Sequence, residues 1–119
     1  FDYFHPLLCD EAVECCFVLL LNNMNRVIDH VKVGSGGLTA TVVDVRIIIR
    51  EALMKRATAI AVCHNHPSGS PLPSVEDIRQ TRDIGKALSS CDLQLVDHVI
   101  VAGGSYYSFS DEQVGGQGS

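Results

Sequence analysis

Two apolar stretches near the start of the chain predict a β-hairpin. Residues 15–21, CCFVLLL, form an unbroken apolar run of strand length, which is typical of a strand buried on both faces. Residues 27–33 show the alternation of a second strand. The connecting residues 22–26 contain three asparagines, which readily adopt the left-handed backbone conformations of turns. The two strands are therefore expected to pair as neighbours.

Two helices are predicted further along the chain. Asp44 is a suitable N-cap for a helix from residue 45 to about residue 56. A second helix is predicted from residue 75 to about residue 89, because Ser74 begins an S-x-x-D cap ahead of apolar residues at helical spacing. The first helix carries an apolar face that we expect to pack on the sheet, formed by Val45, Ile48, Ile49, Ala52 and Leu53.

Three further strands complete the predicted fold. Residues 59–63 read as a buried strand, residues 93–101 as another, and residues 106–109 as a closing strand after the turn at Gly103 and Gly104. The resulting order, β-β-α-β-α-β-β, predicts an α/β fold with a mixed β-sheet flanked by helices.

Length and composition are those of a single domain. The chain has 119 residues, of which 46% are hydrophobic and 19% charged, enough for one modest core. We assign the domain to residues 11–112. Residues 1–10 lack periodicity and are interpreted as an N-terminal arm or the stub of a longer protein, whereas residues 113–119, QVGGQGS, have the composition of a disordered tail.

The charge and the cysteines narrow the possible environments. A net charge of −5 without a basic stripe argues against direct nucleic acid binding; the densest positive group, read first as a solvated helix face, is Arg46, Arg50, Lys55 and Arg56. No apolar run is long enough to span a bilayer and no signal peptide pattern is present, so a cytoplasmic location is expected. The five cysteines do not suggest a disulfide framework. Cys15 and Cys16 would point to opposite faces, one thiol into the core and the other away.

The candidate chemistry lies in residues 61–77, AVCHNHPSGSPLPSVED. His64 and His66 follow a buried strand and, being two residues apart, can point to the same side. Asp77 lies in the first turn of the helix that follows the loop. Two imidazoles and one carboxylate leave a fourth tetrahedral position for water, which is typical of a catalytic zinc site. Cys63 could be a ligand, but strand alternation turns it away from the histidines.

Each of these residues also has a structural interpretation. The histidines could be hydrogen-bonded residues at a strand end, Asp77 could be the third residue of a helix cap, and Ser74 could be no more than an N-cap. The convergence of three ligand-type side chains across one loop favours the metal site.

Hydrolysis at such a site also needs a carboxylate to transfer protons. Glu76 points about 100° away from Asp77 on the helix, and Glu51 lies in mid-helix. Glu14 stands directly before the strand CCFVLLL, so its carboxylate could reach the metal-bound water if that strand lies beside the strand before His64. We favour Glu14, with Glu11 as the alternative and a solvated carboxylate at a strand entry as the structural interpretation. Asp97 and His98 alternate on the late strand, where either could support a ligand histidine or be an ordinary strand-end residue.

These motifs resemble a known family. H-x-H-x10-D with Ser74 three residues before the aspartate resembles the JAMM signature of the JAB/MPN metalloprotease superfamily. The strings HNHPSGSPLPSVEDIRQTRDI and LVDHVIVAGGSYYSF resemble the bacterial RadC family, from about Glu14 to Phe109. The resemblance implies a cytidine-deaminase-like α/β/α sandwich, Glu14 as the JAMM glutamate, and stabilisation of the oxyanion by Ser74. RadC-like chains often carry a helix-hairpin-helix module upstream, for which this sequence has no counterpart.

The function expected from residues and resemblance together is zinc-dependent hydrolysis of peptide or isopeptide bonds. Zn²⁺ held by His64, His66 and Asp77 would activate a water, and Glu14 would take its proton and deliver it to the leaving amine. The partner would be a peptide or protein substrate whose identity the sequence does not specify. An alternative is a non-catalytic module in DNA repair or other DNA-associated processes. A zinc deaminase would require the strings H-x-E and P-C-x-x-C, and neither is present.

Overall fold

The architecture comes from a computed structural model, which describes residues 14–35, 43–67, 69–111 and 113–116. It contains two helices and six strands in these residues. The elements are β1 (Cys15–Leu21), β2 (Val27–Ser35), α1 (Val45–Met54), β3 (Ala59–Asn65), α2 (Val75–Ser90), β4 (Gln94–Ala102), β5 (Ser105–Ser108) and β6 (Gln113–Gly116). The predicted order of elements is confirmed, with one strand added at the end.

The strands form one mixed sheet in the order β2-β1-β3-β4-β5-β6. Only the β3–β4 pair is parallel, and the other four neighbouring pairs are antiparallel. A parallel pair needs a crossover connection, which α2 supplies between β3 and β4. The mixed sheet flanked by helices that the sequence predicted is therefore confirmed.

The core lies on both faces of the sheet. Ile60 and Val62 of β3 belong to one buried cluster, together with Ile48 of α1 and Leu88 of α2. The intervening β3 residues, Ala59, Ala61 and Cys63, belong to a second buried cluster. Both helices contribute to the first cluster, so within the described residues the helical layer lies on one face. A helix on the other face, as a three-layer sandwich requires, is not among those residues.

Both helices end in the same way, and this directs the chain into β3 and β4. Arg56 and Asp92 have φ angles of 57° and 58°, the left-handed conformation that terminates a helix. The N–H group of Ala57 then donates to the carbonyl of Ala52, and that of Leu93 to Leu88, each at 2.8 Å. This is the Schellman hydrogen-bond pattern. Neither described helix is both long enough and apolar enough to cross a bilayer.

Three sequence predictions require correction. Cys15 and Cys16 do point to opposite faces, but both are buried, Cys16 in the first cluster and Cys15 in the second. Leu53 is 57% exposed instead of packing on the sheet: it is rotated by about 100° from Ala52, which lies on the buried line of α1. Within the predicted disordered tail, Gln113–Gly116 forms β6. Its backbone pairs with β5, an interaction that side-chain composition does not report.

The two leucines of the helices provide a test of where the core lies. Leu88→Ala should lower the free energy of unfolding by about 2 to 5 kcal/mol, because its side chain is fully buried in the first cluster. Leu53→Ala, the same substitution at an exposed helical site, should change it by no more than about 0.5 kcal/mol. Urea denaturation followed by circular dichroism measures both values, and equal losses would contradict the assignment of the core.

Candidate metal centre

The two histidines are positioned by the end of β3. His64 pairs with Cys16 of β1 on one side and with Ile100 of β4 on the other, and it is only 2% exposed. His66 follows directly after β3, and its backbone N–H donates to the carbonyl of Val101 at 2.8 Å. The Nε2 atoms of His64 and His66 are 3.0 Å apart. The prediction that both imidazoles point to the same side is thus met in the structure.

Asp77 reaches the histidines from the first turn of α2. Its Oδ1 lies 3.2 Å from Nε2 of His64, and its Oδ2 lies 3.1 Å from Nε2 of His66. The same carboxylate closes a capping box with Ser74: Oδ2 accepts the Ser74 N–H at 2.8 Å, and Ser74 Oγ accepts the Asp77 N–H at 3.1 Å. The helix-cap interpretation of Asp77 and its place beside the histidines are therefore both correct, since each carboxylate oxygen can accept more than one contact.

Glu14 joins the group because β1 and β3 are antiparallel neighbours. The start of β1 lies beside the end of β3, and Glu14 Oε1 is 3.8 Å from Nε2 of His64. Asn65 fastens this junction, since its Oδ1 accepts the N–H of Cys15 at 2.7 Å. The structure thus brings Glu14 to the site on the condition that the sequence prediction stated, namely that the two strands are adjacent.

The other acidic candidates lie elsewhere or outside the described residues. Glu51 is within 4 Å of Lys55, and Glu76 hydrogen bonds to Arg79. Asp97 accepts hydrogen bonds from the hydroxyl of Ser108 and from the backbone N–H of Ser110. Glu11, the alternative to Glu14, lies outside the residues that the structure describes.

Cys63 does not join the metal-ligand group. It lies in the second buried cluster, on the sheet face opposite to Ile60 and Val62, as strand alternation predicted. Burial raises the pKa of its thiol well above the usual value. Because metals bind the thiolate form, this also disfavours Cys63 as a ligand.

The arrangement of donor atoms fits a small divalent cation. Glu14, His64, His66 and Asp77 each offer one ligand atom, and these atoms all lie within 4.8 Å of one another. In a tetrahedral zinc site with bonds of about 2.0 to 2.1 Å, ligand atoms are roughly 3.3 to 3.4 Å apart. The separations among the two histidines and Asp77 are 3.0, 3.1 and 3.2 Å, so small outward movements of these side chains would admit an ion.

The electrostatics of the metal-free group favour an ionised Asp77. Burial opposes its ionisation, but hydrogen bonds from His64, His66 and the Ser74 backbone outweigh burial and hold the pKa of Asp77 well below the usual range. The hydrogen bond with Asp77 in turn raises the pKa of His66. Since metal ligation requires neutral imidazole, protons compete with a metal ion for His66.

His98 contacts the ring nitrogen of His64 that does not face Asp77. Its Nε2 is 2.7 Å from Nδ1 of His64, its Nδ1 contacts the hydroxyl of Thr81, and its ring stacks on Phe109 at 4.8 Å between centroids. Burial, followed by the charge of His64, lowers the pKa of His98 to about 3. Of the two residues that the sequence offered as partners of a histidine, it is His98 that contacts His64. Thr81 was missed, although its position four residues after Asp77 on a helix places it on the same face.

The sequence matches a known family model and several curated relatives. A family model described as a RadC-like JAB domain matches residues 1–114. Relatives that carry the name UPF0758 protein include one from Flavobacterium johnsoniae, 39% identical over 114 residues, and one from Pelobacter propionicus, 40% identical over 114 residues. Each alignment covers 96% of this chain and 50% of the relative. The chain therefore spans about half the length of these curated relatives.

The ion pair between Asp77 and His66 should give the metal-free protein a characteristic pH dependence. The lowered pKa of Asp77 stabilises the fold above the unfolded carboxyl pKa of about 4, and this contribution is lost as the pH falls through the folded value. The raised pKa of His66 stabilises the fold below the unfolded imidazole pKa of about 6.5, and this contribution is lost as the pH rises through the folded value.

Asp77→Asn tests this expectation, because an asparagine oxygen can still accept the Ser74 N–H of the capping box. The variant should lose about 1.5 to 3 kcal/mol of unfolding free energy between about pH 4 and pH 6.5, and less on either side. The measurement is urea denaturation of wild type and variant with a chelator present, across this pH range. A difference that does not vary with pH would contradict the ion pair.

Proposed function

The chain belongs to the RadC-like JAB domain family, and from this premise we propose that it is a zinc-dependent hydrolase of peptide or isopeptide bonds. The observation that carries the proposal is the convergence of Glu14, His64, His66 and Asp77 from separate elements. Three close donors together with one more distant carboxylate are the parts that metal-assisted hydrolysis requires: a ligand set with an open position and a proton acceptor.

His64, His66 and Asp77 are the residues that would hold the ion. Two imidazole nitrogens and one carboxylate oxygen form a common zinc ligand set, with a position left open for solvent or substrate. A bound zinc ion would supply Lewis acidity, which polarises the scissile carbonyl and makes a water more acidic.

Glu14 is assigned the proton transfer. Its Oε1 is 3.8 Å from Nε2 of His64, whereas the three closer donors are separated by 3.0 to 3.2 Å, so Glu14 stands just outside the ligand set. Its side chain is 20% exposed and can therefore contact both the site and entering water. In this position the carboxylate would accept a proton from the attacking water and return it to the leaving amine.

Ser74 is assigned the stabilisation of the oxyanion. Its oxygen accepts the Asp77 N–H through a lone pair, which does not consume the hydroxyl hydrogen. The capping and the donating roles are therefore compatible. A donor that acts on a developing oxyanion typically contributes about 2.7 to 4 kcal/mol to transition-state stabilisation.

We expect a peptide or protein partner, and the charge distribution argues against DNA. Of the densest positive group in the sequence, Arg46 pairs with Asp44 and Lys55 with Asp29. These cations are already neutralised locally, which argues against a phosphate-binding surface for DNA. The described cysteines are free thiols, in keeping with a reducing compartment such as the cytoplasm.

Glu14→Gln separates metal binding from catalysis. The zinc-loaded variant should retain about one zinc per chain, because the three close donors remain, and lose about 10²- to 10⁴-fold in cleavage rate, the usual contribution of a general base. Glu76→Gln is the matched control: it is the same substitution beside Asp77, but on an exposed side chain paired with Arg79. It should leave both zinc content and rate unchanged.

The measurement combines metal analysis with mass spectrometry of a defined mixture of linear and isopeptide-linked peptides. His64→Ala should lose most of the zinc together with the cleavage. Wild-type protein that binds no zinc, or zinc-loaded Glu14→Gln protein that cleaves at the wild-type rate, would overturn the proposal.

A further inference from the structure

We propose that His98 and Thr81 are positioning residues that fix which ring nitrogen of His64 faces the metal centre. The two side chains form a hydrogen-bonded chain from His64 to the backbone carbonyl of Asp77. This inference rests on the proposed function, because it concerns the ring nitrogen of His64 that would bind the metal ion.

The backbone carbonyl of Asp77 determines which atom donates in each of these hydrogen bonds. The Thr81 hydroxyl lies 2.7 Å from the Asp77 backbone oxygen, and a carbonyl oxygen can only accept. Thr81 must therefore donate its single hydroxyl hydrogen to Asp77. Toward His98 the hydroxyl has only lone pairs left, so the hydrogen in that contact must belong to Nδ1 of His98.

The same reasoning continues through the two rings. A neutral His98 with its hydrogen on Nδ1 presents an Nε2 lone pair to Nδ1 of His64, 2.7 Å away. The hydrogen in this contact then belongs to Nδ1 of His64. His64 Nε2 faces Asp77 and His66, and in the metal-free protein it donates a hydrogen bond to Asp77. Since Nδ1 keeps its own hydrogen, removal of the Nε2 hydrogen leaves a neutral His64 with its lone pair on Nε2. This is the tautomer that a metal ion requires.

Burial and ring packing hold the hydrogen-bonded side chains of His64 and His98 in place. His64 is 2% exposed and His98 is 1% exposed, so bulk water does not compete for their ring nitrogens. Phe109 stacks on the His98 ring with an interplanar angle of 14°, and its backbone N–H donates to the carbonyl of His98. The His98 ring is thus held by packing as well as by its hydrogen bonds.

In His66 a single hydrogen bond to a backbone carbonyl fixes the position of the ring hydrogen. Its Nδ1 lies 2.9 Å from the backbone carbonyl of Ser70, which directs the Nδ1 hydrogen to that oxygen and leaves Nε2 for the metal centre. His64 lies inside the sheet, between β1 and β4, where backbone carbonyls serve the strand pairing. Two side chains therefore connect it to a carbonyl on α2. Such outer hydrogen bonds to ligand histidines typically contribute 10- to 100-fold to metal affinity.

The first test measures the tautomers in metal-free protein. Long-range ¹H–¹⁵N correlation spectra at mildly alkaline pH distinguish protonated from unprotonated ring nitrogens. We expect Nδ1 to carry the hydrogen in both His64 and His98. An Nδ1 atom without a hydrogen at either ring would overturn the inference, whatever the outcome for zinc binding or hydrolysis.

The second test removes the Thr81 hydroxyl by a substitution of similar shape. Thr81→Val should let His98 populate both tautomers and weaken zinc binding by about 10- to 100-fold in a chelator competition assay. Thr81→Ser restores the hydroxyl and should restore both the tautomer and the affinity. Ser90→Ala is the matched control, since Ser90 makes a similar hydroxyl-to-carbonyl bond on α2, to Lys86. Zinc affinity that is unchanged in Thr81→Val, or that is weakened equally in Thr81→Ser, would overturn the positioning role of Thr81.

Discussion

The site depends on the pairing of β3 with a neighbour on each side. The antiparallel neighbour, β1, begins where β3 ends, and this brings in Glu14. The parallel neighbour, β4, passes the same end and brings in His98. Because a parallel crossover must start at the end of the first strand, the first turn of α2 also lies near the histidines and carries Asp77. One strand end thus gathers side chains from four elements.

Asp77 shows how a structural and a chemical role can occupy one side chain. In the capping box the Ser74 N–H donates to Oδ2 of Asp77, and the Asp77 N–H donates to Oγ of Ser74. The same carboxylate faces the histidines. A ligand held in this way loses little further conformational freedom when an ion binds. The start of a helix also favours a negative charge, which agrees with a carboxylate that stays ionised despite its burial.

The sequence predicts the parts of this site that depend on local spacing. His64 and His66 follow from strand alternation, and Asp77 follows from the cap motif. Glu14 required the further assumption that β1 and β3 are neighbours. The hydrogen bonds that join Thr81, His98 and His64 depend on how α2 lies against β4, which no local sequence pattern encodes. The same limit explains the exposure of Leu53 and the pairing of Gln113–Gly116, since both depend on which surfaces a neighbouring element covers.

Glu14 reaches the site through long-range strand pairing, unlike the other three residues. His64, His66 and Asp77 belong to one short segment, whereas Glu14 precedes it by about fifty residues and is held at the site by the pairing of β1 with β3. Under the proposed function, the three close donors would therefore come from one local segment, whereas the proton acceptor would come from a long-range strand pairing. The proposed bond cleavage would then depend on the pairing of β1 with β3 as well as on the three close donors.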